Sequence, residues 1–191
     1  IYGVPVKNYN RMFVNSPVIQ VDSYNTNVID MSGMFLNSTA PKLDLTKINT
    51  TGVVNMKDMF NGAKATNYVL SNFDTSKVTN MSGMFANNLD KNLNISTLNT
   101  SNVVDMSRMF YNAATTSIDT STMITAKVTN TSEMFYKYKG SLLKLDSFDV
   151  SKVTNTNDMF IGTAARTGYA RTQADATKLN ASRNKPADLI F

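Results

Sequence analysis

The sequence has no cysteine and no histidine, and Glu133 is its single glutamate. Without cysteine there is no disulfide framework and no thiol chemistry. Without histidine the commonest metal ligand and the commonest general base are both missing. No signal peptide, long apolar segment or lipidation motif is present, so nothing in the chain is expected to cross or anchor to a membrane. The formal charge of +5 is modest and lysine-dominated. A nucleic-acid surface would show arginine clusters or aromatics set among basic residues, and none is seen. No nucleophile–base pair, paired-carboxylate motif or phosphate loop appears, so neither catalysis, a metal nor a cofactor is expected. The chain opens mid-motif at Ile1, which reads as a piece of a longer exported protein.

What the sequence does have is one string, repeated. VTNMSGMF (78–85) returns as VIDMSGMF from Val28, VVNMKDMF from Val53 and VVDMSRMF from Val103. Weaker copies are VTNTSEMF from Val128, VTNTNDMF from Val153 and VKNYNRMF from Val6. The closing phenylalanines are Phe13, Phe35, Phe60, Phe85, Phe110, Phe135 and Phe160, spaced by 22 and then by 25 throughout. A fixed period of that size marks an array of units that bury their apolar faces only against each other.

With each phenylalanine counted as column 25, column 24 is methionine and column 18 valine in every copy. Column 21 is methionine four times and Tyr9, Thr131 and Thr156 in the others. Columns 18, 21, 24 and 25 fall on one stripe at helical spacing. Hydroxyls at Thr26, Thr51, Ser76, Ser101 and Ser151 stand where a helix would be capped. The other half of each unit alternates, as in Leu43 and Leu45, Tyr68 and Leu70, Leu93 and Ile95, or Leu143 and Leu145, which predicts a short strand.

These patterns together predict an α/β fold: a leucine-rich-repeat-like solenoid of about seven 25-residue strand–turn–helix units over 1–165, with a C-terminal capping segment over 166–191. The alternative is a right-handed parallel β-helix. The helix side is expected to need more room, so that the stack curves. In the tail, RTQADATKLNAS reads as a last helix, and Leu189, Ile190 and Phe191 as a strand or plug over the final apolar face.

A methionine–phenylalanine stripe can be an adaptable docking groove. Here it reads as core, because each unit has few apolar residues and must bury them. The Asn/Asp at column 20 (Asn8, Asp30, Asn55, Asn80, Asp105, Asn130, Asn155) reads as structural, bonding backbone groups between units. Candidate partner-binding residues are the outward strand column 9 (Asp44, Val69, Asn94, Asp119 and Lys144) together with Tyr111, Tyr136 and Tyr138, near Lys137 and Lys139. The bland readings compete: drift on a solvated face for the first group, cover over a helix end for the second.

The segments LSNFDTSKVTNMSGMF (70–85) and LDSFDVSKVTNTNDMF (145–160) resemble the 25-residue repeats of BspA-family leucine-rich-repeat surface proteins. Similar repeats occur in surface lipoproteins of mycoplasmas and in wall-anchored proteins of Gram-positive bacteria. The resemblance spans about residues 6–165, and 167–191 looks like the closing segment that follows such repeats. It implies an extracellular, cell-surface, non-enzymatic role, often adhesion to a host or matrix protein or glycan, and brings no catalytic residues. Family repeats often carry a cysteine after the Met-Phe pair, where this chain has none. The rival expectation is a rigid stalk or spacer that presents another domain.

Overall fold

The computed structural model describes residues 6–191; Ile1–Pro5, the start of the first expected unit, lie outside the described residues. Copies of the motif lie directly on one another. Parallel bridges join Asn8 to Asp30, Asp30 to Asn55, Asn55 to Asn80, Asn80 to Asp105, Asp105 to Asn130 and Asn130 to Asn155. The motif phenylalanines form one column of stacked rings, with centroids 5.7 Å apart for Phe13–Phe35 and for Phe35–Phe60 and 5.6 Å for Phe60–Phe85. Phe110, Phe135 and Phe160 continue it. From Met34 and Phe35 onward every motif Met-Phe pair is wholly buried. Each such side chain contributes about 1.5–3 kcal/mol of burial.

The units are nevertheless not strand–turn–helix. The leucine-rich-repeat-like α/β solenoid is not formed, and neither is the β-helix. Regular structure among the described residues is limited to strands β1 (Leu142–Leu145) and β2 (Thr167–Ala170) and helix α1 (Gln173–Asn180), all near the C-terminus. The rest is turns and isolated bridges. Backbone handedness is the reason. The residue before each motif methionine is left-handed: Arg11, Gly33, Asp58, Gly83, Arg108, Glu133 and Asp158 have φ between 54° and 63°. So is the second residue after each phenylalanine, as at Asn37, Gly62, Asn87 and Asn112. A right-handed helix needs negative φ throughout, so two left-handed residues four apart leave no room for one.

The amides that a helix would turn inward go instead to the next unit. Met31 N–H donates to the Asn55 carbonyl (2.9 Å), Gly33 to Lys57 (2.7 Å), Phe35 to Met59 (2.9 Å) and Asn37 to Asn61 (2.7 Å). The intervening amides of Met34, Leu36 and Ser38 close four-residue turns onto the carbonyls of Met31, Gly33 and Phe35. The same alternation recurs down the stack, so this bonded run is pinned to its neighbours at nearly every second residue. The column 20 side chains bond within their own unit, while their backbones bridge the units. Asn80 Oδ1 accepts the Ser82 N–H (2.9 Å) and Asp105 Oδ1 the Ser107 N–H (2.8 Å). The hydroxyl column likewise caps no helix: Ser76 and Ser101 donate their N–H to Asp74 and Asn99 in tight turns.

The opposite run is open. Tyr68–Leu70, Leu93–Ile95 and Ile118–Thr120 keep the expected alternation of buried and exposed side chains. Only β1 and β2 pair as strands, parallel and in register, Leu143 opposite Gly168. In the first units the backbone bridges Gln20–Asp44 and Ser23–Ile48 also cross this side, and between them and the C-terminal pair side chains span the gaps: Thr97 Oγ1 donates to the Leu70 carbonyl (3.2 Å) and Ser147 Oγ to that of Thr120 (2.6 Å). Buried threonines at the corner do the same, Thr75 to Asn99 and Thr100 to Ile124. The side expected to be tight is therefore the loose one.

In the tail, RTQADATKLNAS carries helix α1. Thr172 caps α1 by accepting the Asp175 N–H. The buried Asp175 carboxylate receives the Thr172 hydroxyl, the Arg171 guanidinium and the Val150 amide. Leu189 is buried, Ile190 bridges Thr167, and Phe191 covers Phe160 at 5.2 Å. Gly168 allows this, since a Cβ there would run into the Phe191 ring.

Candidate functional site

The outward column of the open run holds Asp44, Val69, Asn94, Asp119 and Lys144. Val69, Asn94, Asp119 and Lys144 are exposed and Asp44 is half-buried. Three of the five are engaged locally. Asp44 Oδ1 accepts the Thr46 N–H (3.0 Å) and hydroxyl (2.7 Å). Asn94 accepts the Ser96 N–H (3.0 Å), and Asp119 the Ser121 N–H (2.9 Å). The bonds from Thr46 and Ser121 hold the two carboxyls below the usual carboxylate range. Because the run is not strand-paired, grooves open between its segments. Asn94 and Asp119 line one of about 390 Å³, and Asp119 and Lys144 line the next, of about 410 Å³. The structure thus brings Asn94, Asp119 and Lys144 together across two adjoining grooves.

Tyr111 and Tyr136 belong to the bonded run and do not join that group. Their rings stack at 4.5 Å and 6°. The Arg108 guanidinium lies 4.5 Å from the Tyr111 ring and also pairs with Glu133 (3.7 Å). Lys137 Nζ is 5.4 Å from the Tyr136 ring. A cation thus lies against each ring of the half-buried pair.

Tyr138 is not a surface residue. It is 1% exposed, packs edge-on against Phe135, and donates its hydroxyl to the Thr116 carbonyl (3.3 Å). Burial raises its pKa. Its column is buried in every described unit from Ser38 to Thr163, and Gly140 leaves room for the ring. Tyr138 is therefore withdrawn from the contact candidates.

One exposed column escaped the sequence reading. Column 19 holds Ile29, Val54, Thr79, Val104, Thr129 and Thr154, with Lys7 in the first unit. Its backbone is the spine of the stack: Val54 N–H donates to Ile29, Thr79 to Val54, Val104 to Thr79, Thr129 to Val104 and Thr154 to Thr129, all at 2.8–2.9 Å. Ile29 is 49% exposed, Val54 40% and Val104 41%. Six β-branched residues in register were visible as a pattern, but a helix assignment places them on an unremarkable outer face.

Among the described residues no group of three or more acids could hold a metal, and no helix is long and apolar enough to cross a membrane. The buried carboxylates of Asp90 and Asp175 are both taken up by backbone amides, Asp90 by those of Asn67 and Asn92. No curated protein and no solved structure matches the chain. A family model matches it twice, over residues 7–123 and 63–172, and so covers most of its length. The chain belongs to the family described as Mycoplasma protein of unknown function, DUF285.

Proposed function

We propose that this chain is a non-enzymatic binding module at a bacterial cell surface, engaging a host or extracellular-matrix protein or glycan. The supporting observation is the division of labour in each unit. Every methionine–phenylalanine pair from Met34 and Phe35 on is spent on the frame, while varied side chains stand free on it. A frame bonded at every unit loses little entropy when it binds. The motif resemblance to BspA-family repeats supports the extracellular location and the adhesive role. The reading assigns the chain no cofactor, no nucleic-acid partner and no membrane-inserted part.

A second reading, a rigid stalk presenting another domain, is favoured by one observation. Asp44, Asn94 and Asp119 are engaged in their own turns, which lessens what they offer a partner. The deciding experiment immobilises this chain and screens matrix proteins and glycans. Each hit is then compared with a Val69→Ser, Lys144→Ala, Tyr136→Ala variant of unchanged unfolding midpoint. Binding that the variant loses supports the module and these contacts. An empty screen supports the stalk.

A further inference from the structure

The column 19 ridge is more than a row of exposed residues. Its threonines turn their hydroxyls back to the frame. Thr79 Oγ1 lies 3.4 Å from the Val54 carbonyl, Thr129 Oγ1 3.4 Å from Val104, and Thr154 Oγ1 3.2 Å from Thr129. A hydroxyl so occupied leaves the methyl group outward. From Ile29 to Thr154 the ridge is therefore a line of β-branched side chains, exposed except at the half-buried Thr129, on a backbone bonded from unit to unit. Exposed apolar stripes rimmed by polar groups mark docking surfaces.

The rim carries lysines on one side, and on the other the half-exposed Asp30 and Asp105 of column 20, whose carboxylates are taken up by the Ser32 and Ser107 turns. Alternation puts column 17 on the same face as column 19, across the buried valines. Column 17 holds Asn27, Gly52, Lys77, Asn102, Lys127 and Lys152. Neither column contains an acid. Asp74 and Asp149, the nearest carboxylates in sequence to Lys77 and Lys152, are turned into the Ser76 and Ser151 turns. The Lys127 ammonium is 2.5 Å from Asn102 Oδ1, which lays it along the ridge.

We propose that this ridge docks an amphipathic helix whose apolar stripe is flanked by acidic residues. The inference rests on the binding-module reading and names its surface and partner class. Two quantities favour a helix. Units bonded as paired strands repeat every ~4.8 Å, and a helix presents one face every 3–4 residues, or about 4.5–6 Å. Ile29 to Thr154 spans five such intervals, about 24 Å, which a helix of about 16 residues covers. One apolar side chain then meets each methyl group, and the acids face Lys77, Lys127 and Lys152.

The test uses two synthetic helical peptides of about 16 residues with one leucine stripe, flanked by glutamate in one and by lysine in the other. The glutamate peptide is expected to bind, more weakly as salt rises, and the lysine peptide not to bind. Val54→Asp with Val104→Asp should weaken binding by about tenfold or more, and Val54→Ser with Val104→Ser repeats the test should the aspartates disturb folding. Lys77, Lys127 and Lys152→Glu should reverse the peptide preference. Equal binding of both peptides, or binding of neither, overturns the proposal. A matrix protein or glycan that binds wild type and the double variants alike overturns the ridge as the contact surface and leaves the binding module standing. An empty screen alongside two silent peptides removes both.

Discussion

The bonded and open runs of one unit differ both in burial, continuous over Met81–Ala86 and alternating over Leu93–Ile95, and in backbone arrangement. Around Met81–Asn87 alternate amides reach the next unit, Met81 to Asp105, Gly83 to Ser107, Phe85 to Met109 and Asn87 to Tyr111. Around Leu93–Ile95 the side chains alternate in and out, yet the spans to neighbouring units are made by side chains such as Thr97 and Thr115. Alternating burial therefore does not by itself produce strand pairing. Where left-handed residues turn amides and carbonyls along the stack axis, units lock; where they do not, units are held by packing and by single hydroxyls.

The comparison is broken most directly by truncation. Phe85→Ala removes a ring stacked on Phe60 and Phe110 and should cost about 3–5 kcal/mol in urea unfolding. Val69→Ala, on the exposed open run, should stay within about 0.5 kcal/mol. Similar costs would mean that the two runs do not differ. Gly168→Ala should cost about 1–3 kcal/mol by displacing Phe191, and exchange should rise at 160–191 while 31–110 is unaffected.

Hydrogen exchange sharpens the contrast without mutation. Amides of Met81, Gly83, Phe85 and Asn87 should outlast those of Leu93, Asn94 and Ile95, and equal protection would contradict the difference. Titration reaches the open run through its buried phenols. Burial raises the pKa of Tyr68 and of Tyr138, so each stays neutral in the folded chain above its unfolded value of about 10. Their contribution is complete below about pH 10 and is lost as pH rises toward the folded values. The unfolding midpoint should fall from about pH 10 upward, and Tyr68→Phe should reduce that dependence. The smallest effect is local. Asn80→Ala and Asn94→Ala each remove one turn bond and should cost about 1 kcal/mol or less, the former more because its backbone is also a bridge.

Much of this could be read in the sequence, and the errors have a common cause. The period, the buried Val-Met-Met-Phe stripe, the ring column, the Tyr111–Tyr136 stack and the closing helix all follow from spacing and apolarity. The helix was misread because columns 18, 21, 24 and 25 fit a helical stripe, and a chain of tight turns buries the same set. The contrary signal was present: Asn, Gly or Lys two places after each phenylalanine, and Gly or Asp at Gly33, Asp58, Gly83 and Asp158 before the methionine. Asn, Asp and Gly tolerate left-handed backbone, but Arg108, Glu133 and Lys137 adopt it too, and nothing local announces that. The candidate contacts fared unevenly for a related reason. Exposure of column 9 follows from alternation. The burial of Tyr138 depends on Gly140 and on space beside Phe135, both set by tertiary packing.

The first interval is three residues shorter than the others, and the ring column does not register it. Phe13 and Phe35, 22 residues apart, stack at the same 5.7 Å as Phe35 and Phe60, which are 25 apart. The shortfall is made up gradually along the open run. The partner of Asn8 is 22 residues on at Asp30, that of Gln20 is 24 on at Asp44, and that of Ser23 is 25 on at Ile48. Chain length is thus free on one side of the molecule and fixed on the other. A foreign loop grafted near Lys91–Asn92 or Thr116–Ser117 should be carried as a surface ornament, whereas one extra residue between a motif valine and its phenylalanine would shift every amide above it out of register.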